Sequence, residues 1–179
     1  MKRTLTLFFM LGLFAFAQNS FAQRAAASPT VTVKQMIGTT EMELVYSRPS
    51  LDGRDVNGLV TSLNNGVWRT GANTNTIIGF DKDVMIGGKA LKAGRYSLWT
   101  VPGDKEWKVI LNSITDKWGT AYDSSGDVTS FMVPVTKTAN NVETFVINLT
   151  DFDKNSKDKG NIELAWGNLS VKMPVKVTN

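Results

Sequence analysis

Along most of the chain, apolar and polar residues alternate with a period of two. Between Thr30 and Ile37, Val31 and Val33 fall on one side and Thr32 and Lys34 on the other. After a Gly38-Thr39 turn, Met42, Leu44 and Tyr46 alternate with Glu41, Glu43 and Val45. Successive side chains of an extended strand point to opposite faces, so this pattern predicts strands with one buried face. The chain is organised around Gly66 to Asn112, which holds Trp68, Trp99 and Trp107 of its five tryptophans. There Gly87-Gly88 sits between the apolar flanks Met85-Ile86 and Lys89 to Leu91, a hairpin signal. Lys92-Ala93-Gly94 marks a second turn, and Pro102-Gly103-Asp104-Lys105 joins Arg95 to Val101 with Glu106 to Asn112. The stretch reads as a β-meander with short connections.

The rest of the chain follows the same rhythm. Arg48 to Arg54, punctuated by Pro49 and Gly53, is a loop; Asp55 to Leu63 reads equally as a short strand or a helical turn. Ser113 to Gly126 is irregular. Asp127 to Val135 is a strand, Thr136 to Asn141 a polar turn, and Val142 to Phe152 alternates through Phe145, Ile147 and Leu149. Asp153 to Gly160 reads as a charged, solvated hairpin loop, with two more strands in Asn161 to Asn168 and Leu169 to Val177. Trp107 and Trp166 alternate with core positions. Trp99 lies on the face opposite Leu98 and is expected half-exposed, and Trp118 falls in the irregular segment. No segment has helical periodicity over a helix-length run. About nine to eleven short strands joined by turns imply an all-β fold, an antiparallel β-sandwich or jelly-roll-like barrel. One domain over 30–177 accounts for the pattern.

Composition adds an address. Lys2 and Arg3 precede an apolar run, Leu5 to Ala17, and Ser20-Phe21-Ala22 has the small-x-small form of a cleavage site. Residues 1–22 therefore read as a secretory signal peptide, since the apolar run is shorter than the roughly 20 residues that span a bilayer. Residues 23–29 form a flexible lead. The expected protein is exported, periplasmic or extracellular, with no membrane span after cleavage. The formal charge of +4 includes Lys2 and Arg3 and falls to +2 without them, which makes no case for nucleic acid. The chain has no histidine and no cysteine. That removes Ser-His-Asp and Cys-His catalysis and histidine- or thiolate-held zinc, copper or haem. No metal or cofactor is expected.

Chemistry has to come from elsewhere. Arg48, Arg54, Arg69, Thr70 and Asn73 form the sharpest candidate set, with Tyr46 and Trp68 as a stacking platform. A guanidinium is a planar five-donor fork suited to carboxylate, phosphate, sulfate or sugar hydroxyls. The competing reading makes these arginines braces paired with Asp52, Asp55 or Asp81. Asp116, Asp123 and Asp127 lack the ligand spacing of a calcium loop. Asp81, Asp83, Asp104 and Glu106 sit at hairpin ends, where acids are ordinary turn residues. Two functions remain open: a non-enzymatic binding or envelope-associated module for a small polar or anionic ligand or a glycan, and a glycan hydrolase or lyase using carboxylates.

Several strings carry a resemblance. Tyr46-Ser47-Arg48-Pro49-Ser50 with Gly53-Arg54, Val67 to Asn73 (VWRTGAN), Ile86 to Lys89, Ala93 to Leu98, Glu106 to Asn112, and Trp118-Gly119 with Tyr122-Asp123 resemble a family of exported bacterial proteins called domain of unknown function 2911. The resemblance runs from about Ser28 to Pro174. It departs at Thr61 to Asn65 and at Val56-Asn57, beside the arginine loop. It implies a fold and an exported address, and no activity.

Overall fold

The computed structural model describes residues 26–62 and 64–177; the signal-peptide reading lies outside them. Nine strands are present among the described residues: β1 (Thr30–Ile37), β2 (Thr40–Ser47), β3 (Thr76–Phe80), β4 (Val84–Ile86), β5 (Lys89–Leu91), β6 (Gly94–Val101), β7 (Glu106–Asn112), β8 (Asp127–Thr150) and β9 (Lys159–Val177). They hydrogen-bond in the order β1-β2-β3-β6-β7-β8-β9-β4-β5. Every neighbouring pair is antiparallel. The all-β reading holds.

Three details of strand layout depart from the sequence reading. Thr136 to Asn141 is not a turn but the middle of β8, with register shifts between Lys137 and Val142 and between Val142 and Val146. Bulges absorb the polar residues without ending the strand. Likewise Asn161 to Val177 runs as one strand through Gly167, whose φ is 59°. The central meander also opens. β3, β6 and β7 are neighbours, but the β4–β5 hairpin leaves them and pairs with the end of β9, Met85 opposite Lys176 and Ile86 opposite Val175.

Within the stretch from Asp55, the described residues to Ser62 form a helical turn. Helix α1 (Val56–Thr61) is capped by Asp55, whose carboxylate accepts from the amide of Asn57, satisfying a donor the first turn leaves unpaired.

Long β8 ties the strands together. Its first part pairs with β7 and the remainder, from Val135, with β9. Tyr46 on β2 reaches across to β8: its hydroxyl accepts from Ile147 N at 2.9 Å and donates to Ile147 O at 3.3 Å. Beside it, Trp68 packs edge-on against Trp107 and Phe145 and stacks on Trp166 at 5.8 Å. Aromatic pairs in such arrangements add about 0.5–1.5 kcal/mol each beyond their buried area. One apolar cluster contains residues from β1, β2, α1, β3 and all the later strands.

The opposite face of β3, β6 and β7 is also covered. Leu98 faces the apolar cluster, so Ser97 and Trp99 face away from it. Trp99 is nevertheless only 2% exposed. Its indole donates to Ser97 Oγ, its ring lies 5.2 Å from Tyr122, and Ser97 Oγ donates to Ile114 O. The irregular segment lies over this face, so Trp99 is buried rather than half-exposed.

Candidate functional site

The loop after β2 is docked on β8 through its backbone. Phe145 N donates to Pro49 O and Leu51 N to Glu143 O. Arg48 Nε donates to Phe145 O at 3.1 Å; Arg54 donates through Nε to Leu51 O and through Nη2 to Ser50 O, both at 2.8 Å. These two guanidinium groups do brace loops, but against carbonyl oxygens. Asp52, Asp55 and Asp81, the carboxylates considered as partners, make no ion pair with Arg48, Arg54 or Arg69 among the described residues. Asp55 caps α1, and Asp81 accepts from Glu41 N.

The VWRTGAN string is a tight crossing from Trp68 into β3. Trp68 pairs with Thr100 through two backbone hydrogen bonds, and Thr76 N returns to Arg69 O at 3.3 Å. Trp68 is 2% exposed and donates through its indole to Gly71 O, so it presents no ring face to solvent. Thr70 is fully buried with φ 55°; its hydroxyl lies 3.2 Å from that of Thr100, and its carbonyl accepts from Thr76 Oγ1. Asn73, also at positive φ, donates to Ser28 O and Ser47 Oγ. Gly71 has no room for a side chain: a Cβ there would lie 2.9 Å from Thr76 Oγ1 and 3.1 Å from Ser47 O.

Arg69 is different. Trp68 and Thr76 share the faces of Thr100 and Leu98, so the side chains of Arg69 and Asn75 leave on the opposite face, beneath the irregular segment. Gly119 lies directly over Arg69: a Cβ on it would fall 2.2 Å from Arg69 Cδ and 2.6 Å from Asn73 O. Trp118, 57% exposed, pairs with Thr74. Arg69 Nε is buried and has no hydrogen-bond partner among the described residues. Burial pushes its pKa down from the ordinary value. Asn75, 4% exposed, likewise leaves its Nδ2 without a partner. The structure thus separates the predicted residues. Arg69, the Asn73 carbonyl and the exposed Trp118 share one place, while Arg48, Arg54 and the Asn73 amide are committed elsewhere. Asn75 is a sequence-silent addition, since a polar residue entering a strand carries no signal that its amide will be buried.

A second feature lies at the far end of the strands. A cleft of about 700 Å³ opens between β4, the end of β9 and the β8–β9 connection, with Met85, Gly88, Pro174 and Val175 on its apolar side. Asp151, Asp153, Lys159, Asn161 and Lys176 supply its polar groups. Asp153 is pulled down to about 2, first by the backbone amide of Ser156, then by Lys159 and the amide of Asn155. Asp151 is lowered too, chiefly by Lys172 and then Asn161. Neither is a carboxyl held protonated near neutrality, as the acid of a glycoside hydrolase must be. Among the described residues no group of acids is arranged to hold a metal ion, and no helix is long and apolar enough to cross a membrane.

In comparison with known families, residues 28–175 match DUF2911, described as a protein of unknown function. No curated protein and no solved structure matches the chain.

Proposed function

We propose, for a chain that belongs to the DUF2911 family of proteins of unknown function, that it is an exported, non-enzymatic binding module holding a small polar or anionic ligand at Arg69. The observation that carries this reading is the buried Arg69 Nε without a partner. A desolvated cation lacking a carboxylate costs stability unless an acceptor reaches it. Here the neighbouring orphan, Asn75 Nδ2, is also a donor. Two donors on one face call for an acceptor such as a carboxylate, phosphate or sulfate oxygen. Trp118 adds an exposed aromatic surface alongside. Export rests on the residue 1–22 pattern, and a periplasmic or extracellular place follows from it.

Thermal shift and tryptophan fluorescence with phosphate, sulfate, acetate and citrate test the site. One of these anions is expected to raise the wild-type midpoint. Arg69→Lys keeps the charge but loses the fork, and is expected to weaken that anion about tenfold, or about 1.4 kcal/mol. Without ligand, Arg69→Met is expected to unfold no more easily than wild type, because it removes a desolvated donor that nothing satisfies. The reading fails if no anion shifts the midpoint, or if Arg69→Met retains the full shift.

A further inference from the structure

We infer that the cleft formed by β4, the end of β9 and the 151–161 connection is a ligand site separate from Arg69, and that it takes a neutral sugar ring. Its volume of about 700 Å³ lies within the roughly 300–1,000 Å³ range of small-molecule pockets. The lining is divided. Met85, Pro174 and Val175 give it an apolar side, and Met85 stands 39% exposed on a three-residue strand. Such a surface suits the C–H face of a pyranose.

The polar side selects against ions. The lining contains two aspartates and two lysines, Asp151, Asp153, Lys159 and Lys176, so it carries no net charge. Both aspartates are already engaged. Asp153 Oδ2 meets Lys159 Nζ at 3.0 Å while its Oδ1 accepts from Asn155 N and Ser156 N. Asp151 Oδ2 meets Lys172 Nζ at 2.7 Å and accepts from Asn161 Nδ2 at 3.0 Å. Lys176 lies 4.0 Å from Asp158. With its charges paired, the lining offers no net field to draw in an anion or a cation. A hydroxyl needs none. It can donate to a carboxylate lone pair that remains and accept one of the three ammonium hydrogens of a lysine that already spends another. Vicinal hydroxyls on a ring present both functions together, with an apolar face to lay on Met85 and Val175. Gly88 completes the fit: it lines the cleft, and a Cβ on it would meet nothing within 4 Å, so a side chain there would project into open space.

Methyl-carbon-labelled methionine in the full chain gives a direct reporter, because Met85 lies in the cleft. The labelled protein is titrated with glucose, galactose, mannose and N-acetylglucosamine, with maltose and N,N′-diacetylchitobiose, and with inorganic phosphate as the ionic probe. At least one sugar is expected to move the Met85 methyl signal saturably. Asn161→Ala and Gly88→Asn are each expected to weaken that response about tenfold or more, and Arg69→Lys to leave it unchanged, which separates this site from the one at Arg69. A disaccharide binding tighter than its monosaccharide assigns the site to a glycan chain, and equal binding assigns it to a free sugar. The inference is overturned if no sugar moves Met85, if phosphate moves it and sugars do not, or if the response survives both cleft substitutions. Should Gly88→Asn fail to fold, Asn161→Ala carries the test.

Discussion

Adjacent glycines in the β4–β5 turn should differ sharply in what a methyl group does to them. Both have positive φ, 55° at Gly87 and 75° at Gly88, so alanine at either position carries a left-handed cost of about 1–2 kcal/mol. The surroundings differ. A Cβ on Gly87 would fall 2.1 Å from Phe131 Cδ2 and 2.3 Å from its Cγ, whereas a Cβ on Gly88 meets nothing within 4 Å. Phe131 is a buried β8 residue paired with Val109. Moving its ring aside overpacks the cluster at about 1–3 kcal/mol, and swinging it into solvent forfeits about 1.5–3 kcal/mol of burial. Gly87→Ala should therefore cost about 2–5 kcal/mol and Gly88→Ala about 1–2 kcal/mol. At about 2–4 °C per kcal/mol for a chain of this size, the two melting temperatures should separate clearly. Urea midpoints measure the difference, and Phe131→Leu in the Gly87→Ala background should recover part of the loss, because the two sites share one contact. Equal midpoints for the two alanine variants would refute the packing argument. So would a double mutant in which the two losses simply add.

Three further outcomes follow. Tyr46→Phe should destabilise by about 1–3 kcal/mol in denaturant melts, because it strands the buried amide of Ile147; a wild-type midpoint would mean the hydroxyl carries no weight. Asp153, held at about 2 in the folded protein against an ordinary 3.8, stabilises above about pH 4, and that contribution fades as pH falls toward about 2. Asp153→Asn should therefore lower stability near neutrality and flatten the acid limb of a stability–pH curve; an unchanged limb counts against the assignment. Finally, Trp118 is 57% exposed while the other four tryptophans are buried, so Trp118→Phe should remove most acrylamide-accessible fluorescence. Persistent quenching would place another indole at the surface.

The legible parts of the fold were those set by neighbours in sequence. Gly87-Gly88, Lys92 to Gly94 and Pro102 to Lys105 announce turns because local backbone geometry needs those residues. The boundaries at Thr136 to Asn141 and Asn168-Leu169 were misleading for the converse reason: a bulged strand tolerates polar residues and a positive-φ glycine, and which strand it pairs with is a long-range matter. Trp99 looked half-exposed because nothing near it in sequence reveals that residues 113–126 cover its face. The arginines were legible as unusual but not as to role. Arg48 and Arg54 choose carbonyl oxygens, acceptors that every residue carries and no pattern marks. Asp153, Lys159 and Gly160 read as part of a solvated tip, since DKNSKDKG gives no sign that its charges are neutralised beside Met85 and Val175.

The pairing of β4 with the end of β9 imposes an order of events on synthesis. The β4–β5 hairpin emerges from the ribosome early, yet its hydrogen-bonding partner, Val175 to Val177, comes at the far end of the last strand. Until then Val84 and Ile86, both buried in the finished protein, have no sheet to join. Closing so long a loop is slow, and a two-stranded hairpin is marginal by itself. The sheet therefore stays incomplete until the end of β9 has been made. Under the export proposed above, such a delay would keep the chain in an unfolded, threadable state.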